Sequence, residues 1–390
     1  MRHLFLLITI LFALNGYSQS TVYFTSEITP ESLVKIFHAL GVDPKGRVAV
    51  KISTGESAQS NHLRPEFIKD LVEDVNGTLV ECNTAYWGSR NTTEAHRRAI
   101  AERGYDKIAV VDIMDEEGSM QIPVSDTRWL KYDLVGSHLQ NYDFMINLAH
   151  FKGHQMGGFG GVLKNASIGV ASSAGKNYIH SAGRSETNSG NSNQDSFIES
   201  MAAAAQAVHN YFKQEGKDIV YINVMNNMSV DCDCNGRPAA PQLQDMGILA
   251  STDPVALDKA CLDLVFNHES TAGDNATPLI NRINSMHGTH IVDYGEEIGL
   301  GSLAYDLLSL DEIEGDDEGG DEGNGDGEDN GEEVPGDDEN SNGVGTVTAG
   351  MRNLYNVFTL EGKKLLDRST SLDSLAPGVY IINGKKQAIN

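Results

Sequence analysis

From residue 31 to residue 266 the chain alternates β-branched runs with helix-like segments, and that alternation limits it to few architectures. The strand-like runs are 48–53, 78–82, 108–113, 144–148, 219–224 and 248–251, and the helix-like segments are 31–40, 64–75, 93–103, 195–214 and 254–266. Asp253 stands as N-cap of the last helix and Pro254 at its first position. Strand and helix in turn predict an α/β fold, a parallel or mostly parallel sheet with helices on both faces. Such sheets bind ligands in a cleft at the C-terminal ends of their strands. Polar clusters at 54–56, 83–90, Asp112, His150 with His154, 226–234 and Asp253 therefore predict the rim of one cleft.

The two ends of the chain read differently. Residues 1–18 hold a short apolar run, 4–14, behind Arg2 and His3. A run of that length is well short of the roughly 20 residues that span a bilayer, so it is expected to be a cleaved signal peptide rather than a transmembrane segment. The protein is accordingly expected to be secreted, periplasmic or on the cell surface. Residues 311–345 form an acidic linker; 311–340 alone carry sixteen acidic residues and no Lys or Arg, too little apolar surface to order a core. Without those sixteen charges the formal −26 becomes −10, still acidic, which predicts no nucleic-acid footprint. Residues 346–390 read as a small β unit with turns at 360–362 and 376–378. The α/β domain itself is expected to span 19–310.

Candidate chemistry concentrates in HFKGHQMGGFGGVLKNASIGVASSAGKNYIH, residues 150–180. Gly157, Gly158, Gly160 and Gly161 let backbone approach a ligand closely. His154 and His180 offer neutral imidazoles for a metal or for proton transfer. Lys164 becomes a nucleophile if burial strips its proton. The stretch GVASSAGK lacks the Ser or Thr that completes a phosphate loop, and its Ser-x-x-Lys pair has no Lys-Thr-Gly companion.

The four cysteines, 82, 232, 234 and 261, are too few for a disulfide scaffold in a chain this long. If extended, Cys232 and Cys234 have α-carbons about 6.6 Å apart on one face, where two thiolates can clasp a soft metal. Oxidation, with one of them bridged to Cys82 or Cys261, is the alternative that the spacing leaves open. Cys261 lies on the apolar stripe of its helix.

Three separated motifs, FKGHQMGGFGGVLKNASIGVASSAGK, DCDC and ILASTDPVALDKAC, are similar to the family called domain of unknown function 362, the uncharacterised Fe–S centre proteins, over about residues 30–300. Many of its members insert a ferredoxin-like segment after the glycine loop. Here that place holds SETNSGNSNQDS, so no ferredoxin-type iron–sulfur motif is present in the sequence. A more distant similarity is to the nickel-pincer lactate racemase. It implies His154 as catalytic acid/base, Lys164 as the lysine tethering the cofactor and His180 as the metal-ligating histidine. Leu163 departs from the basic residue expected before that lysine, and His96 is the only candidate offered for a second catalytic histidine. The C-terminal unit resembles the sorting domains of the type IX secretion system, which implies export machinery as its partner.

The sequence thus predicts an exported metal-binding protein, with an isomerase or racemase-like enzyme acting on a small hydroxy or carboxylate substrate as one reading. A non-catalytic metal- or Fe–S-related binding protein is the other. Catalysis falls to His154 and Lys164, a metal ion (nickel, iron or zinc) to Cys232, Cys234 and His180, and substrate contacts to Arg90, Glu56, Gly160 and Gly161.

Overall fold

The computed structural model describes residues 19–190, 192–214 and 216–311, and four strands at 355–358, 364–369, 378–382 and 385–389. The leader-like residues 1–18 and all but the first residue of the acidic linker lie outside the described residues. The chain divides into two compact units, Met1–Gly320 and Asp321–Asn390.

The strands of the first unit are β1 (Ser20–Thr25), β2 (Val48–Lys51), β3 (Thr78–Glu81), β4 (Val111–Ile113), β5 (Ser119–Ile122), β6 (Asp133–Gly136), β7 (Phe144–His150), β8 (Lys152–His154), β9 (Gly158–Gly160), β10 (Asp218–Met225), β11 (Gly247–Ser251) and β12 (Tyr305–Ser309). Its helices are α1 (Pro30–Ala39), α2 (Pro65–Asp74), α3 (Thr93–Arg103), α4 (Val162–Ser167), α5 (Ser173–His180), α6 (Gln194–Phe212), α7 (Pro254–Phe266), α8 (Thr277–Ser285) and α9 (His290–Glu297). Eight strands form one sheet in the order β12-β1-β11-β10-β7-β2-β3-β4. All pairs are parallel except those of β11, which runs against both β1 and β10. The reason is local: β10 passes to β11 through residues 226–246 with no helix to carry the chain back across the sheet, and only such a crossover makes neighbours parallel.

Alternation along the strands divides the core into two layers. Val48, Val50 and Ile52 of the β2 segment, with Phe144, Ile146 and Leu148 of β7, pack on Leu33 and Phe37 of α1, Ile68 and Leu71 of α2 and Ile100 of α3. Ala49, Met145 and Ala149 point the other way, toward the layer built from α4, α5, α6, α7 and α9. The sheet's order also reverses direction. From β2 the chain steps outward through β3 to β4, then returns to the opposite side of β2 as β7 and moves on to β10. The crevice beyond the carboxyl ends of β2 and β7 is where an open α/β sheet leaves room for a ligand.

The second unit contributes β13 (Tyr355–Phe358), β14 (Lys364–Ser369), β15 (Gly378–Ile382) and β16 (Lys385–Ile389) in an antiparallel sheet ordered β14-β13-β15-β16. No helix among the described residues is long and apolar enough to cross a membrane.

Candidate functional site

At that reversal lies a cavity of about 400 Å³, walled by residues at the carboxyl ends of β2 and β3, by β8 and β9, by residues 232–234 in the loop after β10, and by α4 and α5. His154, Lys164, His180, Arg90, Gly160, Gly161, Cys232 and Cys234 all line it. Of the residues expected to form one rim, Asp253 does not, because antiparallel β11 delivers it to the opposite end of the strands, where it caps α7 through Val255 N (2.9 Å) and Ala256 N (3.0 Å). Asp112 is also elsewhere, bound to His138 Nδ1 (2.8 Å) and to the Tyr142 hydroxyl (2.7 Å).

The cavity's anchor is α4. Asp258 of α7 accepts from Val162 N (2.9 Å) and Leu163 N (3.0 Å), while Asn223 Nδ2 donates to the same carboxylate (2.7 Å). A Cβ on Gly161 would meet Asp258 Oδ1 at 2.2 Å, so Gly161 is required by helix docking as well as lining the cavity. On the sheet side Asn147 Nδ2 donates to Val162 O (3.0 Å), and Asn165 bridges Asn147 Oδ1 (2.6 Å) and Lys51 Nζ (3.0 Å). These polar pegs under a short helix fix where Lys164 points.

Lys164 has no hydrogen-bonding or ion-pairing partner among the described residues, and its amine faces the cavity. Burial, with help from neighbouring Lys152, lowers its pKa from 10.5 to about 7. His154 is buried and held well below 6.5 by desolvation, with Lys164 and His180 repelling a second proton. Its Nδ1 accepts from Gly157 N (2.8 Å) and Met156 N (3.2 Å). The neutral ring therefore carries its proton on Nε2, which makes it a hydrogen-bond donor rather than a base or a metal ligand. His180 has the opposite tautomer. Its Nδ1–H donates to Lys176 O (2.6 Å), so Nε2 keeps a free lone pair, and burial lowers its pKa to about 4.

Other residues expected in the site are committed to partners. Arg90 Nη1 donates to Glu81 Oε1 (2.6 Å), Nη2 to the Tyr86 hydroxyl (3.0 Å) and Nε reaches Glu56 Oε2 (3.4 Å), leaving little of the guanidinium to grip a substrate. Glu56 lies outside the cavity lining, bound to Arg90, the Tyr86 hydroxyl (3.1 Å) and Ser89 N. His96 is fully buried between Asn83 Oδ1 (3.2 Å) and Glu81 Oε2 (3.1 Å), and does not line the cavity either.

Cys232 and Cys234 are joined to one another, with α-carbons 5.2 Å apart, while Cys82 and Cys261 are free and buried. The alternative of a bridge to Cys82 or Cys261 gives way to this short loop because residues 232–235 turn, Asn235 N donating to Cys232 O (2.9 Å), rather than extend. While the sulfurs are bonded to each other neither is a thiolate, so the expected metal clasp is closed. Reduced, their sulfurs would stand within 4.8 Å of a ring nitrogen of His154, two thiolate donors beside an imidazole that offers no free lone pair in this tautomer. Asp233, between them, binds His150 Nδ1 (2.8 Å) and Lys152 Nζ (2.9 Å). Burial opposes its ionisation, but the Lys152 ammonium and the hydrogen bonds from Lys152 and His150 hold it far below the usual carboxylate range.

Sequence reasoning missed Lys51, Lys152 and Lys176, which line the same cavity. The signal available was a lysine closing the otherwise apolar strand VAVK, where a solvated cation is out of place.

The family model described as Domain of unknown function (DUF362) matches residues 48–263, more than half of the chain. No curated protein sequence matches it. Two solved structures are similar. One is a crystal structure of a Thermotoga maritima protein, with 10% identity, 69% of this chain and 58% of that one covered, and a TM-score of 0.36. The other is the lactate racemase apoprotein from Thermoanaerobacterium thermosaccharolyticum, with 11% identity, 74% and 82% covered, and a TM-score of 0.34. This chain thus spans 58% of the length of the Thermotoga protein.

Proposed function

The chain belongs to the family described as Domain of unknown function (DUF362), and for this member we propose a proton-transfer enzyme, an isomerase or racemase, acting on a small hydroxy- or oxo-carboxylate. The observation that carries the reading is the unpartnered Lys164 amine, with a pKa of about 7, facing the same cavity as two neutral imidazoles. A base poised near the working pH combines a useful deprotonated fraction with adequate proton affinity. The Lys164 amine takes the proton from the carbon beside the carboxylate and becomes an ammonium. The electron pair left behind spreads onto the adjacent substrate oxygen. The Nε2–H of His154 donates a hydrogen bond to that oxygen, as a neutral imidazole can where imidazolium would give its proton away. Return of a proton, exchanged with solvent, from the Lys164 ammonium to that carbon completes the exchange and restores the amine.

A bare metal ion would find only His180 Nε2 here while the cysteines are bonded together, fewer than the three protein ligands usual at catalytic zinc. The donor set fits a metal carried by a group with donors of its own, which His180 would hold while the Lys164 amine stays free. Such a group would supply an electron-withdrawing centre beside the substrate. The leader-like N-terminus and the sorting-like C-terminal unit support a site of action outside the cytoplasm, reached through export machinery.

The test is solvent-deuterium incorporation beside the carboxylate, followed by NMR in D₂O across a panel of 2-hydroxy and 2-oxo acids, with the natively exported protein. Incorporation is expected with at least one acid, lost in Lys164→Ala and reduced about 10²–10³-fold in His154→Gln, the effect of removing one oxyanion donor. Intact mass of the same preparation reads any adduct on Lys164. No incorporation with any acid, or full incorporation by both variants, overturns the reading.

A further inference from the structure

The charges around the cavity do not balance, and the imbalance has a definite size. Arg90 is neutralised by Glu81, and Lys152 by Asp233. His154 and His180 are neutral at pH 7, since both titrate well below it. Three lysines remain, Lys51 on β2, Lys164 on α4 and Lys176 on α5, and none has an ion-pair partner among the described residues.

Lys51 and Lys176 are buried and Lys164 is half-buried, and enclosing three ammonium groups without a paired counter-charge is costly. Lys164 relieves part of that cost by titrating near 7, so two cations are left in the empty cavity. Lys51 is 1% exposed and still spends only two of its three N–H donors, on Ile52 O (2.6 Å) and Asn165 Oδ1 (3.0 Å). Lys176, also buried, spends one, on Ala171 O (2.5 Å). Three N–H donors therefore remain on two cations that repel one another across the cavity. The N-terminus of α5 does not share the task, because Asp115 Oδ2 already accepts from Ser173 N (3.0 Å).

We propose that this cavity selects a small dianion, either a dicarboxylate or a phosphate-bearing acid, whose second anionic group is held by Lys51 and Lys176 while the first lies beside Lys164 and His154. This deepens the reading of the cavity as a small-carboxylate site and rests on it. Two anionic oxygens, or the three of one phosphate, match the free donors left by the protein. A monoanion would leave one buried ammonium without a counter-charge, and that difference is the source of selectivity. Because Lys51 has a pKa of about 8, the preference weakens as pH rises through 8 and the ammonium is lost.

The experiment measures binding alone, so that its outcome is independent of catalysis. The full chain is titrated calorimetrically at pH 7 and fixed ionic strength with lactate, malonate, malate, inorganic phosphate and 2-phosphoglycolate. At least tenfold tighter binding of a dianion than of lactate is expected, and whether dicarboxylates or phosphates lead identifies the source. Lys51→Met and Lys176→Met should each remove that margin, weakening dianion binding by at least tenfold more than lactate binding, with thermal melts confirming that both fold. Equal affinity for lactate and the dianions, a margin that survives in both variants, or no binding by any of these anions overturns the proposal. A protein that binds dianions yet exchanges no deuterium refutes proton transfer and leaves dianion selection standing.

Discussion

Two clusters of buried charge border the same cavity, and they are neutralised in opposite ways. Around Glu81 every charge has an answer. Its carboxylate receives Arg90 Nη1 (2.6 Å), His96 Nε2 (3.1 Å), Thr54 N (3.1 Å) and the Thr54 hydroxyl (2.5 Å), and Arg90 passes its other nitrogens to Tyr86 and Glu56. Burial opposes ionisation of Glu81, but Arg90 and His96 prevail and hold its pKa well below 4.5. Around Lys51, Lys164 and Lys176 no carboxylate among the described residues comes within ion-pairing distance; Glu81 and Asp233 act only from further off, burial prevails, and the pKa of Lys164 falls. Burial of a charge is common to both clusters and so distinguishes neither. Missing compensation marks the second as a place built for something that arrives from outside.

Stability should respond to the two clusters with opposite signs. Glu81→Gln leaves Arg90 buried with its closest counter-charge gone, a change that costs about 3–5 kcal/mol in buried pairs. Chemical denaturation should record it as a lower midpoint at pH 7. A loss under about 1 kcal/mol would mean that Glu56 and Tyr86 suffice to satisfy Arg90, and the contrast between the clusters would narrow.

Lys164→Met should do the reverse and stabilise the ligand-free protein by about 1–2 kcal/mol, the usual gain from repairing one unfavourable site. The folded pKa of Lys164, about 7, lies below its unfolded value of 10.5. Between those values the unfolded chain binds more protons than the folded one, so this residue makes wild-type stability rise with pH across the window. Denaturation at pH 6, 8 and 10 should show that rise in the wild type and a smaller one in Lys164→Met. Parallel curves would return Lys164 to the role of an ordinary surface cation.

Much of the scaffold was legible beforehand, and for local reasons. Helices 93–103 and 254–266 were bounded correctly because Thr92 accepts from Ala95 N and Asp253 caps with Pro254 behind it, signals that sit within a few residues of one another. The direction of β11 was not legible, since parallel or antiparallel pairing depends on the path of residues 226–246 and not on the strand's own residues. The glycine-rich segment disclosed His154, Lys164 and His180 because they cluster in sequence. Lys152 and Lys176 lie in the same segment, where nothing in their own spacing marks a lysine as buried, and Lys51 joins them only through the topology, which brings the ends of β2 and β7 together beneath α4. A net charge of −26 further concealed a local excess of cations. The tautomers of His154 and His180 depend on backbone groups that no sequence pattern displays, yet they separate the hydrogen-bond donor from the candidate metal ligand.

The smallest expected effect lies in the pH dependence of turnover, and it joins the two lysines that titrate nearest neutrality. Lys164 must be unprotonated to accept a proton, so kcat/KM should rise as pH climbs through about 7. Lys51 must be protonated to hold a second anionic group, so for a dianionic substrate the same quantity should fall as pH passes about 8. The free enzyme's pKa values govern kcat/KM, so the profile should be a narrow bell, with each limb changing at most about tenfold per pH unit. Neither imidazole is expected to contribute a limb here, because His154 and His180 both lose their protons well below this range. In Lys51→Met the alkaline limb should disappear while the acid limb stays, which separates the anion-holding lysine from the proton-accepting one in a single pair of profiles. An alkaline limb that persists in that variant would assign it to another group and break the division of labour between the two lysines.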